Sequence, residues 1–416
     1  MSQPENSPMR QAWLMVGLLW FVAFLNYLDR MILITMRSSI KETIPMNDAQ
    51  FGLLTTIFLL SYGLLCPFGG FLADKFNRSR IIIFSLFAWS ATTWLTAHAT
   101  SFNELLLCRA LMGISEAAYF PAAGALLMDY HRNQTRSLAN GIHLSGVMVG
   151  SGLGGLGGWI ADQHNWTFVF ECFGLIGIIY AGVLVFLLKD RPKDVAAPGE
   201  PVAALPALQL GQTLVNLFSR PAFLLALVFW GLLGVASWSF SGWLPAYLQE
   251  QFHMSQGRAG LTALGYIYSA SLIGMLAGGY FADRWTRTNP RGRIYVGVIG
   301  VLVAIPGVLL VGNSGLLPLV LLGMVIYGFT RPFPDASMTP LLCEIIDRRH
   351  LGTGVGVLNM FAVMVGGASI YIGGVVRDAN ISITTMFNCG AFGLLICALL
   401  LWAIKPRPAP LTHEIR

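Results

Sequence analysis

Six ionisable residues stand inside long apolar stretches of this chain: Asp29, Arg30, Arg109, Glu116, Arg331 and Asp335. A charged side chain at that depth costs ~2.5–3.5 kcal/mol on insertion scales, so a chain that keeps several invites a functional explanation. Their types define the chemistry on offer. A planar guanidinium fork matches a carboxylate or a similar anion. A carboxyl group sheltered from water can take up and release a proton. Asp29 and Arg30 are adjacent in Asn26-Tyr27-Leu28-Asp29-Arg30, while Arg109 and Glu116 are seven residues, or two turns, apart and share a helix face. That face should look into a cavity, because lipid satisfies neither charge. The alternative is a fixed set of Asp/Arg and Glu/Arg pairs that only holds helices together. Arg331 and Asp335 sit four apart among Pro332 and Pro334. They read either as a third arginine facing a doubly charged or hydroxyl-rich substrate, or as a self-neutralising pair.

The elements that position these residues follow from composition. The chain has 416 residues, 55% hydrophobic and 11% charged, against about 25% charged in soluble domains. Repeated apolar runs of ~20 residues predict membrane-crossing helices and argue against a barrel of alternating strands. Twelve spans are expected, near 12–36, 50–73, 81–99, 103–128, 137–160, 167–188, 221–249, 259–282, 294–312, 316–342, 351–375 and 383–404. The expected fold is all-α: a bundle of six helices in 1–188, a Pro- and Ala-rich cytoplasmic linker in 189–220 and a second six-helix bundle in 221–416. The start of the chain shows no cleavable leader pattern.

Basic residues are placed unevenly. Nineteen of the 26 Lys and Arg lie in the even-numbered loops and the termini; Arg37, Lys41, Arg258 and Arg377 lie on the other side, and the remaining three are in spans. The bias predicts both termini in the cytoplasm of a bacterial inner membrane. The halves also repeat. Gly69-Gly70-Phe71-Leu72-Ala73-Asp74-Lys75 returns as Gly278-Gly279-Tyr280-Phe281-Ala282-Asp283-Arg284 at an offset of 209, and Gly113, Gly141 and Gly158 return as Gly328, Gly356 and Gly373 at 215. Two related halves are a transporter architecture with a site at the midplane between them.

The stretch Gly70-x-x-x-Asp74-Lys75-x-x-Arg78-x-Arg80, and its second copy from Gly279 through Asp283 to Arg287, resembles the signature loop of the major facilitator superfamily. The resemblance runs over the whole chain. It implies a cytoplasmic gate at these residues, with glycine allowing close helix contact and the charges forming a latch; Asn77 stands where the family usually has glycine. Asn-Tyr-Leu-Asp-Arg, together with Arg109-x-x-x-Gly113-x-x-Glu116-Ala117, resembles the anion:cation symporter branch, which includes sugar-acid and hexuronate carriers. That resemblance implies that Arg30 binds the substrate anion, that Asp29 and Glu116 take the coupling protons, and that Arg109 tunes Glu116 or assists binding. The same motifs, with Ser151-Gly152-Leu153-Gly154 and Pro290-Arg291-Gly292-Arg293, also resemble spinster-type lysolipid carriers. Proton-driven symport of a small organic anion ranks first and lysolipid or organic-solute export second.

Other signals are weaker. Arg331, Tyr27, Tyr62 and Asn359 are further candidates for substrate contact. Trp238 and Tyr268 suit a cavity wall, and Tyr247 an interfacial belt. His143 reads as a proton-relay member or a satisfied helix histidine. Gly146, Gly150, Gly154 and Gly158 recur every four residues, as close helix packing requires. The six cysteines are scattered without metal spacing, and no phosphate-binding glycine loop is present. The expected partners are therefore a small anionic molecule, protons and the bilayer, with no nucleic acid. No cofactor, metal or enzymatic activity is expected, and the expected assembly is a monomer driven by the proton gradient.

Overall fold

An apolar segment inside a bilayer has no water for its backbone groups, so it must pair them internally as a helix. The computed structural model describes residues 6–131, 135–190, 210–346 and 350–404, and among them regular structure is entirely helical. Twelve long helices follow one another. The first six are α1 (Asn6–Thr35), α2 (Asp48–Lys75), α3 (Arg78–Thr96), α4 (Phe102–Tyr130), α5 (Arg136–Leu153 and Leu156–Gln163) and α6 (Trp166–Leu187). The second six are α7 (Pro221–Phe252), α8 (Gln256–Thr286), α9 (Gly292–Asn313), α10 (Leu317–Ile345), α11 (Leu351–Asp378) and α12 (Ile383–Ala403). Eleven are long and apolar enough to cross a bilayer. The exception is α3, where Ser85, Ser90, Thr92, Thr93 and Thr96 are buried. Its hydroxyls face protein, which is why a less apolar segment is tolerated there.

Polar side chains start the helices. Asn47 and Gln50 form a reciprocal capping box on α2, Asn77 caps α3, and Ser101, Asn165, Ser255 and Ser382 cap α4, α6, α8 and α12. The departure at Asn77 thus has a local cause, since a capping side chain is needed where α3 begins. The expected linker contains a helix, Leu210–Phe218, and its 191–209 stretch lies outside the described residues.

Prolines fall at the breaks in α4 and α10. A proline lacks the N–H that would bond the carbonyl four residues earlier. Pro332 so frees the carbonyl of Gly328, and Ser271 on α8 donates its hydroxyl to it at 3.0 Å. Pro121 frees the carbonyl of Ala117, and α2 passes close to it: a Cβ on Gly69 would lie 2.4 Å from that oxygen. The same holds in the second half, where a Cβ on Gly278 would meet Phe333 Cα at 2.9 Å. Gly70 and Gly279, the expected contact glycines, have ordinary room, with nearest atoms at 4.0 and 3.9 Å. Close approach therefore falls one residue earlier in each copy.

The halves touch at one end. Glycines bring α5 against α1 through Gly146, Gly150, Gly154 and Gly158, and α5 meets α8 at Gly155 and Leu261. Thr56 on α2 donates to the Gly367 carbonyl of α11 at 2.7 Å, and Gly63 abuts Met364. Toward the end that carries the α2–α3 and α8–α9 loops, no described hydrogen bond or ion pair joins the halves. There Phe68 and Phe71 of α2 and Leu276 and Tyr280 of α8 are exposed.

Gly69→Ala is expected to destabilise the detergent-solubilised protein by ~1–3 kcal/mol through overpacking against backbone. Gly70→Ala should be neutral or raise the melting temperature, because alanine lowers the cost of ordering a helix. Equal melting of the two variants would remove Gly69 as the contact glycine.

Candidate functional site

The pairing at the centre of the first half differs from the one the helix-face argument favours. Arg30 on α1, not Arg109, holds Glu116: its Nε and Nη2 each lie 2.8 Å from Glu116 Oε2. Both residues are essentially sealed, at 2% and 0% exposure. Arg30 is also boxed by rings, with its guanidinium 4.6 Å from Tyr27, 5.1 Å from Phe58 and 4.3 Å from Tyr62. Cation–π contact of this kind adds to the ion pair where water is absent. Tyr27 and Tyr62 therefore do join the cluster, as an aromatic housing for the arginine.

Arg109 also lies against Phe58, 4.8 Å from the ring, and Nη1 donates to Met112 Sδ at 3.0 Å. It makes no hydrogen bond to Glu116, because α1 delivers Arg30 into that position first. Arg109 is buried, and its Nε and Nη2 have no protein partner. Asp29 is buried beside Trp89 and Thr93 of α3, close enough to Glu116 and Arg109 to interact with both charges. His143 is buried with Nε2 2.9 Å from the Tyr119 hydroxyl, so it is a satisfied histidine packed behind this cluster.

The second half offers a different surface. Arg331, at the break in α10, pairs with Asp335 and also lines a cavity of about 170 Å³ with Ser237, Ser241, Tyr268, Ser271 and Met148 of the first half. The two readings of Arg331 are thus compatible: it is neutralised by its neighbour and still faces the space between halves. Trp238 lines the same cavity. Asn359 is exposed on α11, and no described hydrogen bond or ring contact ties it to the cluster. Tyr247 is buried and donates to the Val311 carbonyl at 2.6 Å, so it belongs to the core and not to an interfacial belt.

The signature loops also pair differently from the expectation. Arg78 pairs with Asp129 on α4. In the second half Arg293, not Arg287, pairs with Asp283 at 3.2 Å and with Glu344 at 2.9 Å. The pairs are copies: 293 − 78 and 344 − 129 both equal 215. Asp74 ends α2, and its side chain lies outside the described residues. Each loop pair stays within its own half.

A charge network at the opposite end was not singled out from sequence. Asp48, at the start of α2, accepts from Lys41 at 2.5 Å, from Arg377 of α11 at 2.7 Å and from Arg37. Arg377 also reaches Glu250 of α7 at 2.6 Å. The Asp378 carboxylate accepts the backbone N–H groups of Asp48 and Ala49 at 2.9 Å each, capping α2 from the other half. The available signal was the position of Arg37, Lys41 and Arg377: three of the four bases on the side where bases are scarce.

Twelve helices in two related halves, joined at one end and apart at the other around a buried charge cluster, define a membrane transporter. Residues 19–371 match the Major Facilitator Superfamily, and the chain belongs to that family of transporters, not to an enzyme class. It is 26% identical over 317 residues to Protein spinster of Drosophila melanogaster, covering 73% of this chain and 52% of that protein. It is 32% identical over 181 residues to the sphingosine-1-phosphate transporter of Danio rerio, covering 42% of this chain and 36% of that one. An MFS-type efflux pump of Mycolicibacterium smegmatis is 27% identical over 299 residues, 71% and 68% of the two chains. The chain spans little more than half the length of the first spinster relatives it matches. A bacterial homologue of the human lysosomal transporter Spinster, crystallised inward-facing and unoccupied, shares the fold: TM-score 0.77 at 21% identity, over 97% of this chain and 96% of that one.

Two outcomes follow from the geometry. Glu116→Leu strands a buried guanidinium and should cost ~3–5 kcal/mol, whereas Arg30→Met with Glu116→Leu should recover much of that loss. Additive melting losses would show that the pair is not coupled. At the opposite end, Arg377→Gln with Asp378→Asn removes contacts between halves. Spin labels at positions 71 and 280 should then report a larger population with shorter separation, and an unchanged distance distribution would exclude the network as a lock.

Proposed function

We propose that this protein is a proton-coupled carrier of a single-chain anionic amphiphile of the lysolipid kind. The observation that carries the coupling is the sealed Arg30–Glu116 pair. While Glu116 is ionised, Arg30 is occupied. A proton on Glu116 cancels the attraction and leaves the guanidinium free for a substrate phosphate or carboxylate. Proton and anion then bind together, and each stabilises the other's site. Asp29 serves as the second proton position, with Trp89 and Thr93 as its lining. Arg109 contributes positive potential and no direct contact.

The choice of an amphiphile over a sugar acid rests on two supports. The relatives, Protein spinster and a sphingosine-1-phosphate transporter among them, favour the lipid reading that ranked second from sequence. The separated ends of α2 and α8 expose large apolar side chains, which suits a substrate with a tail. Ser237, Ser241, Tyr268 and Arg331 supply a polar wall for its headgroup. The excess of bases in the even-numbered loops supports both termini in the cytoplasm, so the open end faces inward. The setting we infer is a bacterial inner membrane with the proton gradient as energy source, and one chain suffices to build the site.

The test is transport in proteoliposomes under an imposed proton gradient, with fluorescent lysophospholipid and radiolabelled glucuronate compared side by side. Lysophospholipid movement should respond to the gradient, and Glu116→Gln or Asp29→Asn should abolish that response. Arg331→Gln should raise the half-saturating concentration about tenfold, as loss of a charge-assisted contact implies. Gradient-driven glucuronate accumulation without lysophospholipid movement would restore the sugar-acid reading. Full gradient response in both carboxyl variants would overturn the coupling assignment.

A further inference from the structure

The second signature loop is longer than the first. Asp74 and Arg78 are four residues apart, while their counterparts Asp283 and Arg293 are ten apart. The six extra residues also account for the drift of the repeat offset from 209 to 215. They fold into an ordered turn: Thr288 and Asn289 donate backbone N–H groups to the Trp285 carbonyl, Gly292 donates to the Asn289 carbonyl, and Asn289 Oδ1 accepts from the Arg291 N–H.

This region carries four arginines, and they divide into two pairs. Arg293 is engaged by Asp283 and Glu344. Arg291 donates to the Trp402 carbonyl and lies over the Tyr295 ring. Arg284 and Arg287 are exposed and have no acidic partner among the described residues. They line a groove of about 640 Å³ together with Thr288 and a floor of Phe281, Trp285, Val296, Ile299 and Phe333. Phe281, Trp285 and Ile299 are substantially exposed. The groove therefore has two free guanidinium groups at its rim and an apolar, aromatic bed that continues onto bilayer-facing α8 and α9.

We propose that this groove is a binding site for the phosphate headgroup of an anionic phospholipid from the leaflet on the loop side. Charge complementarity selects the headgroup: two unpaired guanidinium forks suit a phosphodiester. The aromatic bed selects a lipid over a soluble phosphate, because Trp and Phe at the interface take the upper part of an acyl chain. Basic pockets between helices on the cytoplasmic side are a recognised form of such sites. The site belongs to the second half alone, since the short first-half loop has no room for the added turn. It lies outside the cavity between halves and is independent of what the carrier transports.

The experiment uses the full chain in neutral detergent, with retained lipid counted by native mass spectrometry. Phosphatidylglycerol, phosphatidylcholine and soluble glycerol 3-phosphate are the probes. Phosphatidylglycerol should be held about thirtyfold more tightly than phosphatidylcholine, the preference two membrane-surface arginines provide. Arg284→Gln with Arg287→Gln should abolish the preference, and Arg284→Lys with Arg287→Lys should keep part of it. Arg258→Gln, at the opposite end, should leave it unchanged. Phe281→Ala with Trp285→Ala should weaken phosphatidylglycerol binding without creating a preference for phosphatidylcholine. Unchanged selectivity in the Gln pair would overturn the site. Equal competition by glycerol 3-phosphate would overturn the lipid assignment and leave a site for soluble anions.

Discussion

The buried pair between Arg30 and Glu116 constrains the first half more than any other contact. Taking two charges from water is expensive, and their attraction offsets that cost only with short, well-aligned contacts. The contact is short, at 2.8 Å, and three aromatic rings surround the guanidinium, while Glu116 Oε1 has no hydrogen-bond partner among the described residues. The consequence is geometric. Glu116 must sit where α1 can reach it, so α1 packs across α4 at the break where α4 is interrupted. The glycine row of α5 then holds α1 in place from behind. Asp29, next in sequence to Arg30, points about 100° further round α1, so its surroundings include Trp89 and Thr93 of α3 as well as the charges of Glu116 and Arg109.

The repeat makes the contrast with the second half informative. Arg331 stands 215 residues after Glu116, so a base replaces an acid at the same point of the fold. Among the described residues it has no acidic partner from another helix. Its acid comes from its own helix, one turn on, and the pair remains partly open to the cavity. One half therefore carries a charge pair that links two helices and is closed to solvent. The other carries a pair that is local and accessible. Under the proposed coupling, the first half would respond to a proton while the second presents a constant polar wall.

Much of this was legible in the sequence, and what was missed has a common cause. Apolar run lengths placed the helices, and the repeated glycines located the correspondence between halves. The helix α3 was found even though its hydropathy is low, since a run of bases ends at Arg80, where its apolar stretch begins. Spacing along one helix correctly put Arg109 and Glu116 on one face, but the partner of Glu116 depends on how α1 rotates against α4, and no periodicity records that. The same limit explains Gly69 against Gly70: adjacent glycines differ in which one meets the neighbouring backbone, and the freed carbonyl of Ala117 decides it. Arg287 was matched to Arg78 by counting from Asp283. Counting from Asp283 fails across an insertion, and Arg293 is identified by the later repeat offset of 215 together with its ion pair with Glu344.

The outer network bears on how the two ends are related. Asp48 gathers three bases, and Asp378 caps the first turn of α2 from across the interface, so several charge-assisted bonds must break before that end can open. At the loop end the charged pairs stay within each half and cost nothing to separate from the partner half. Neutralising one acid changes this balance at only one end. Under the proposed coupling, a proton on Glu116 would act differently, because it would loosen α1 from α4, and α1 continues directly into the short helix Arg37–Thr43 that supplies Arg37 and Lys41 to the lock. The central pair and the outer network are therefore mechanically joined through one continuous stretch of chain. A shift of α1 on release of Arg30 is transmitted to Asp48 without any further moving part.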